Sequence, residues 1–108
     1  MSSDVILNTL MDVINERKQA NADDSYVASL FAKGREKILK KVGEEAIETV
    51  LAAQQGDKEH LVYETADLWF HTLVMLSEQN LSADDVLQEL AKRFGVSGHE
   101  EKRSRTEN

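Results

Sequence analysis

The sequence contains no cysteine, no proline and only five glycines. Without cysteine the chain can form neither a disulfide framework nor a thiolate zinc site. A cysteine-free chain suits a reducing compartment, and we expect the protein in the cytoplasm. Because proline is absent and glycine is rare, nothing repeatedly interrupts helices, and the composition favours an all-α protein.

A long apolar run and a basic N-terminal segment are also missing. No stretch is long and uncharged enough to span a bilayer, so we expect no membrane partner. Acidic Asp4 stands where a secretory signal carries positive charge. The formal net charge of -7 repels phosphate, which argues against a nucleic-acid polymer as partner. A phosphorylated ligand would need cations to bridge it to the protein.

Apolar residues recur at three- and four-residue spacing along the 108-residue chain, which is long enough for one domain. Polar or glycine-containing breaks divide this pattern into five predicted helices. They span residues 4–20, a short segment from Tyr26 to near Gly34, residues 36–55, residues 58–79, and a last segment that follows a capping-box-like Ser82–Asp85 and stops at Gly95. We predict an antiparallel helical bundle, with residues 1–95 as the domain and residues 96–108 as a charged tail.

Two of the predicted helices carry more apolar surface than one small domain can bury. The third has a main apolar stripe, formed by Ile38, Leu39, Val42, Ala46, Val50 and Ala53. Ile47 and Leu51 fall outside this stripe and form a second apolar surface. The fourth helix is apolar on most sides, which is typical of a helix buried on most sides. We therefore expect a homodimer or a larger assembly to complete the bundle.

Two acidic clusters lie on the predicted third and fourth helices. Glu45 and Glu48 are three residues apart, and Glu64 and Asp67 have the same spacing, so each pair lies on one side of its helix. Acidic residues on helices usually face solvent. However, Glu64 and Asp67 are the only charged residues in the sequence between Leu61 and Leu76. A carboxylate in apolar surroundings is costly unless it is paired or bound to a metal.

These four carboxylates would supply hard oxygen ligands, which suit Mg²⁺ or Mn²⁺. Such a metal polarises phosphoryl oxygens and activates water, which predicts hydrolysis within a polyphosphate. Lys37 and Lys41 lie just upstream of Glu45 and suit contacts with phosphate oxygens. Ordinary ion pairing, such as Lys41 with Glu45, explains these lysines equally well.

Aromatic and histidine side chains accompany the second acidic cluster. We expect His71 to be a buried histidine with satisfied hydrogen bonds, and a role as partner to a metal ligand is the alternative. Trp69, Phe70 and Tyr63 recur at helical spacing, which predicts core residues rather than a surface that stacks on a base. A di-iron carboxylate site is not supported, because it needs paired Glu-x-x-His motifs and residues 57–60 begin with aspartate.

Four sequence motifs stand out when they are taken together. They are Ser25-Tyr26-Val27-Ala28-Ser29-Leu30-Phe31, Gly34-x-x-Lys37-Ile38-x-Lys40-Lys41-Val42-Gly43-Glu44-Glu45-Ala46-x-Glu48, Glu64-x-Ala66-Asp67-Leu68-x-x-His71 and Ser97-Gly98-x-Glu100-x-Lys102. They resemble the all-α nucleoside triphosphate pyrophosphatase superfamily, and within it the phosphoribosyl-ATP pyrophosphohydrolase family. The resemblance covers residues 4–103 without long insertions. A lone Glu-Glu-x-x-Glu is a weak signal, whereas the lysine-rich block with the later Glu-x-x-Asp is a strong one.

The resemblance implies Mg²⁺-dependent cleavage of phosphoribosyl-ATP between its α- and β-phosphates. The products are phosphoribosyl-AMP and pyrophosphate, and the reaction is the second step of histidine biosynthesis. The implied roles are metal binding by Glu45, Glu48, Glu64 and Asp67, catalysis by Glu44 and Glu45, and substrate binding by Lys37 and Lys41. One alternative is a MazG-like house-cleaning enzyme that acts on free nucleoside triphosphates. Another is a non-enzymatic helical interaction module whose acidic residues are merely exposed.

Overall fold

The computed structural model describes residues 5–94, and five α-helices account for most of this part of the chain. They are α1 (Ile6–Arg17), α2 (Tyr26–Lys33), α3 (Arg35–Gln55), α4 (Lys58–Glu78) and α5 (Ala83–Ala91). No strand occurs among the described residues. The prediction of an all-α fold with about five helices is confirmed.

Two helices are shorter than the sequence pattern predicted. The first ends at Arg17 rather than near residue 20, and the Asn21 side chain accepts a hydrogen bond from the Asp23 backbone at 2.8 Å. Such local side-chain bonds favour a turn over a continued helix. The last helix ends at Ala91, and residues 92–94 form turns. The predicted stop at Gly95 and the tail that follows it lie outside the described residues.

Short junctions set the path of the chain around α3. Gly34 separates α2 from α3 at φ +98°, a conformation that L side chains rarely adopt. Gly56 ends α3 in the left-handed region at φ +78°, and Asp57 caps α4 by accepting a hydrogen bond from the His60 amide at 3.1 Å. Only Gly56 and Asp57 lie between the long helices α3 and α4. Because these two helices also contact each other, they run antiparallel.

The core lies where α1 and α2 pack against the α3–α4 hairpin. Ile14, Leu30, Ile38 and Val74 are each at most 1 % exposed, so every one of these four helices contributes a fully buried side chain. Polar bonds add to this packing, because the Lys18 ammonium donates to the Ser77 carbonyl oxygen at 2.8 Å. These contacts attach α1 to the C-terminal part of α4.

Several apolar residues that were expected in the core are instead exposed in the single chain. In α3 the predicted stripe is wrong at Leu39, Val50 and Ala53, whereas Ala52 is buried. In α4 the core prediction is wrong for Tyr63 and Trp69, which are 67 % and 58 % exposed; Phe70 is half-buried and packs against the core. The physical reason is that a pattern of apolar residues does not say which sides of a helix the chain itself can cover.

No helix in the described part of the chain combines the length and the apolar character that crossing a membrane requires.

The capping box at the start of α5 yields a stability prediction. The Ser82 amide donates to the Asp85 carboxylate at 2.9 Å, and the Asp85 amide donates back to the Ser82 hydroxyl oxygen at 3.3 Å. We expect Ser82→Ala to lower the free energy of unfolding by about 1 kcal/mol, and Ser82→Gly to lower it by only roughly a few tenths. Urea unfolding at one fixed chain concentration measures both changes. Equal midpoints for wild type and Ser82→Ala would contradict the role of the cap.

Candidate metal centre

The hairpin of α3 and α4 brings the two acidic clusters to the same level of the fold. These two helices form the largest helix–helix contact of the described residues. Thr49 marks the register between them, because its hydroxyl lies 2.7 Å from the Glu45 carbonyl oxygen and 3.2 Å from that of Glu64. Only a close approach of the two backbones permits this bridge. The carboxylates next to Thr49 on both helices therefore face a common space.

Ligand atoms of the acidic residues converge in that space. Carboxylate oxygens of Glu45, Glu48 and Glu64 lie within 4.8 Å of one another. A second group with the same spacing consists of Glu45, Asp67 and His71. Glu45 belongs to both groups and so joins them into one cluster. All four acids that the sequence suggested as metal ligands are thus brought together, whereas Glu44 is exposed and belongs to neither group.

Two of these carboxylates are almost fully buried although part of each lacks a hydrogen-bond donor. Glu45 is 3 % exposed and Glu64 is 8 % exposed. One oxygen of each, Oε2, is fully buried and has no hydrogen-bond donor among the described residues. Burying an ionised oxygen without a partner costs several kcal/mol unless a cation neutralises it. The donor set therefore fits a hard divalent cation, which prefers carboxylate oxygens.

The pKa values of the cluster reflect the crowding of negative charge. Burial by itself raises the pKa of Glu45, but contacts with Asp67 and Lys41 hold that pKa below its ordinary value. Burial, followed by the Glu45 carboxyl, raises the pKa of Asp67. The Glu45 carboxyl also raises the pKa of Glu48. The raised pKa values of Asp67 and Glu48 thus reflect repulsion from Glu45, and a bound cation would relieve that repulsion.

The two candidate lysines lie on the same side of α3 as the cluster. Lys41 places its ammonium 3.2 Å from Glu45 Oε1, so the ion pair considered from the sequence is present. Lys37 lies one turn earlier and is half-buried. Because residues four apart share a helix face, these lysines and Glu45 follow one another along one line. Positive charge therefore precedes the carboxylates along α3.

His71 is buried, and both of its ring nitrogens have partners. Nδ1 lies 2.8 Å from the Asp67 carbonyl oxygen and 3.3 Å from Asp67 Oδ1, while Nε2 lies 2.7 Å from the Tyr26 hydroxyl. The expectation of a satisfied buried histidine is confirmed, and its partner is a residue of the acidic cluster. Sequence reasoning missed Tyr26 and Thr49 as neighbours of the cluster. The only available signal for Tyr26 was its place in the first of the four motifs.

Comparison with known proteins agrees with this geometry. The family model described as phosphoribosyl-ATP pyrophosphohydrolase matches residues 7–94. The protein named phosphoribosyl-ATP pyrophosphatase from Hydrogenovibrio crunogenus is 55 % identical, over 100 % of this chain and 98 % of its own. Proteins of the same name from Methylococcus capsulatus and Neisseria meningitidis serogroup C are 56 % and 53 % identical, over 93 % and 96 % of this chain and 95 % and 97 % of their own. The chain belongs to the phosphoribosyl-ATP pyrophosphohydrolase family.

Proposed function

We propose that the protein hydrolyses phosphoribosyl-ATP to phosphoribosyl-AMP and pyrophosphate, the second step of histidine biosynthesis. Family membership over residues 7–94 and the shared name of its relatives support the substrate and the reaction class. The structural observation that carries the proposal is the pair of buried carboxylate oxygens of Glu45 and Glu64, which lack donors. The cation that accompanies a polyphosphate substrate would supply the positive charge that these oxygens need.

The cation in this proposal is Mg²⁺, with Mn²⁺ as a substitute of similar ligand preference. Its ligands would be the carboxylates of Glu45, Glu48, Glu64 and Asp67. When bound, it polarises phosphoryl oxygens and makes water a better nucleophile. The helices hold these carboxylates in place before substrate arrives, because Thr49 and the short turn at residues 56–57 set the hairpin register. Such preorganisation is what electrostatic catalysis requires.

The remaining roles fall to residues on the exposed side of α3. Lys37 and Lys41 would contact the phosphate oxygens, with Lys41 moving from its ion pair with Glu45 to the substrate. Glu45 then keeps both oxygens for the cation. Glu44 is exposed beside this line, where its carboxylate can orient the attacking water and accept a proton from it. The bond that breaks is the anhydride between the α- and β-phosphates, and pyrophosphate leaves.

We also propose that the protein works as a homodimer in a reducing cytoplasm. The support is apolar surface that the single chain leaves exposed. Ile47 and Leu51 of α3 are 64 % and 49 % exposed, and Val62 of α4 is 69 % exposed. An apolar groove of about 430 Å³ between α1, α4 and α5 adds to this surface, with Trp69, Leu87 and Leu90 in its lining. A second copy would remove these side chains from water.

The substrate assignment predicts a clear preference in steady-state assays. Phosphoribosyl-ATP should be cleaved with a kcat/KM at least about 100-fold above those for dUTP and dCTP, because remote contacts with the correct substrate lower the transition-state barrier. Pyrophosphate release measures all three reactions. A higher kcat/KM on the free nucleoside triphosphates would instead identify a house-cleaning enzyme.

Removal of one buried ligand should abolish turnover without unfolding the protein. Glu64→Gln keeps the size of the side chain but removes its charge, so we expect kcat to fall at least about 100-fold and Mn²⁺ binding in a calorimetric titration to weaken. Glu59→Gln is the matched control, because Glu59 is exposed in the first turn of the same helix. Circular dichroism should be unchanged for both variants. Wild-type kcat in Glu64→Gln would place this residue outside the site.

The dimer proposal predicts a specific response to charge at the apolar surface. Val62→Asp places a carboxylate at an exposed apolar position and should weaken self-association at least about tenfold, since an unpaired charge in an interface is costly. Gln54→Asp changes the net charge equally at an exposed polar position and should leave association intact. Sedimentation velocity over a range of concentrations measures both. A wild-type protein that sediments as a monomer would refute the dimer.

A further inference from the structure

The hydrogen bonds of His71 define which of its nitrogens carries a proton. The Asp67 carbonyl oxygen, 2.8 Å from Nδ1, can only accept a hydrogen bond, so Nδ1 is the protonated nitrogen. In the neutral ring Nε2 is then an acceptor, and the Tyr26 hydroxyl donates to it at 2.7 Å. The chain of donors thus runs from Tyr26 through His71 to Asp67.

This arrangement distinguishes His71 from a metal ligand. Its ring lies near Glu45 and Asp67, in a group with the spacing of a metal site. However, a ligating nitrogen must offer a lone pair to the metal, and both nitrogens of His71 are already engaged by Asp67 and Tyr26. His71 therefore acts on the cluster through Asp67.

Asp67 is the member of the cluster that lies next to His71 and can receive such support. Its side chain is 34 % exposed, whereas that of Glu45 is 4 % exposed and held by packing. The Nδ1–H group of His71 lies 3.3 Å from Asp67 Oδ1 as well as close to the Asp67 carbonyl oxygen. One donor therefore lies close to both the backbone carbonyl and the carboxylate of the same residue, a position from which it can hold the carboxylate against rotation towards solvent.

The aromatic neighbours fix the histidine ring itself. Phe70 meets the His71 ring edge-on, with centroids 5.3 Å apart and planes at 87°. Tyr26 stacks on Phe70 at 6.3 Å and meets His71 edge-on at 5.7 Å. Tyr26 is nevertheless 51 % exposed, so its contribution to the core is small beside the hydrogen bond it donates. Its position at the start of α2, after the Ser25 cap, brings this donor to α4.

We propose that Tyr26 and His71 are positioning residues that orient the Asp67 carboxylate towards the bound cation. The proposal rests on the function proposed above and extends the site from the α3–α4 hairpin to α2. Residues behind metal ligands commonly orient them in this way, and their loss typically weakens metal binding about 10- to 100-fold. Neither residue touches the substrate in this account.

Calorimetric titration with Mn²⁺ tests the proposal on the purified protein. Tyr26→Phe removes only the hydroxyl and should weaken Mn²⁺ binding about fivefold, the effect of one hydrogen bond. His71→Ala should weaken it about 10- to 100-fold. His71→Asn keeps a donor close to the place of Nδ1 and should restore most of the affinity that His71→Ala loses. Tyr63→Phe is the matched control, because Tyr63 is 67 % exposed on α4, and it should bind Mn²⁺ like wild type.

A double-mutant cycle separates positioning from general destabilisation. Asparagine at position 71 does not reach the Tyr26 hydroxyl, so Tyr26→Phe should have no further effect on Mn²⁺ affinity in the His71→Asn background. In activity assays the Mg²⁺ concentration for half-maximal rate should rise in Tyr26→Phe, while kcat at saturating Mg²⁺ stays close to wild type. A purely structural role would lower thermal stability without this split.

The outcomes of these experiments distinguish a failure of the positioning role from a failure of the proposed metal centre. If wild-type protein binds no Mn²⁺, the metal centre itself is refuted. If wild type binds Mn²⁺ and Tyr26→Phe binds it equally well, the centre stands and the positioning role is overturned. The positioning role is also overturned if Tyr26→Phe weakens binding by the same factor in the wild-type and His71→Asn backgrounds. Because Tyr26→Phe preserves the ring, it remains decisive even if His71→Ala fails to fold.

Discussion

The burial of negative charge between α3 and α4 is the constraint on which the rest of this structure depends. Glu45 and Glu64 are almost fully buried, and each has an oxygen without a donor among the described residues. A small helical domain with a net charge of -7 gains nothing in stability from such an arrangement. A bound cation would offset the unfavourable desolvation, and stability and the proposed function would then be linked through the same oxygens. The hairpin turn and the Thr49 bridge hold the two backbones close together, so that carboxylate oxygens of both helices lie within 4.8 Å of one another.

The charge distribution along α3 matches the chemistry of a polyphosphate. An acidic protein repels phosphates in general, and only a local reversal of sign allows them to approach. Lys41 and Lys37 lie one and two turns before Glu45, where they would supply this reversal. The ion pair between Lys41 and Glu45 keeps the cluster partly neutral. This ion pair would separate in the presence of substrate, because the phosphates would bind Lys41 and the cation would bind Glu45.

The exposed apolar residues show what helical periodicity can and cannot predict about burial. The pattern of α4 was typical of a helix buried on most sides, yet Val62, Tyr63 and Trp69 are more than half exposed in the single chain. In α3, Val50 is exposed although Ala52 is buried. Periodicity measures how much apolar surface a helix carries, whereas the covering of that surface depends on which neighbours are present. The proposed neighbour is a second copy of the chain, which would cover the apolar surface that the single chain leaves exposed.

The sequence by itself determined the five helices and the spacing that aligns each acidic pair on one side of its helix, because these features depend on neighbours three and four residues away. It also carried the motifs of the family. Tertiary structure alone decided which helix sides meet, where α1 and α5 end, and that Tyr26 reaches His71 across a separation of 45 residues. No local pattern specifies such a contact, since it depends on how α2 is placed by Gly34 and by its own buried residues.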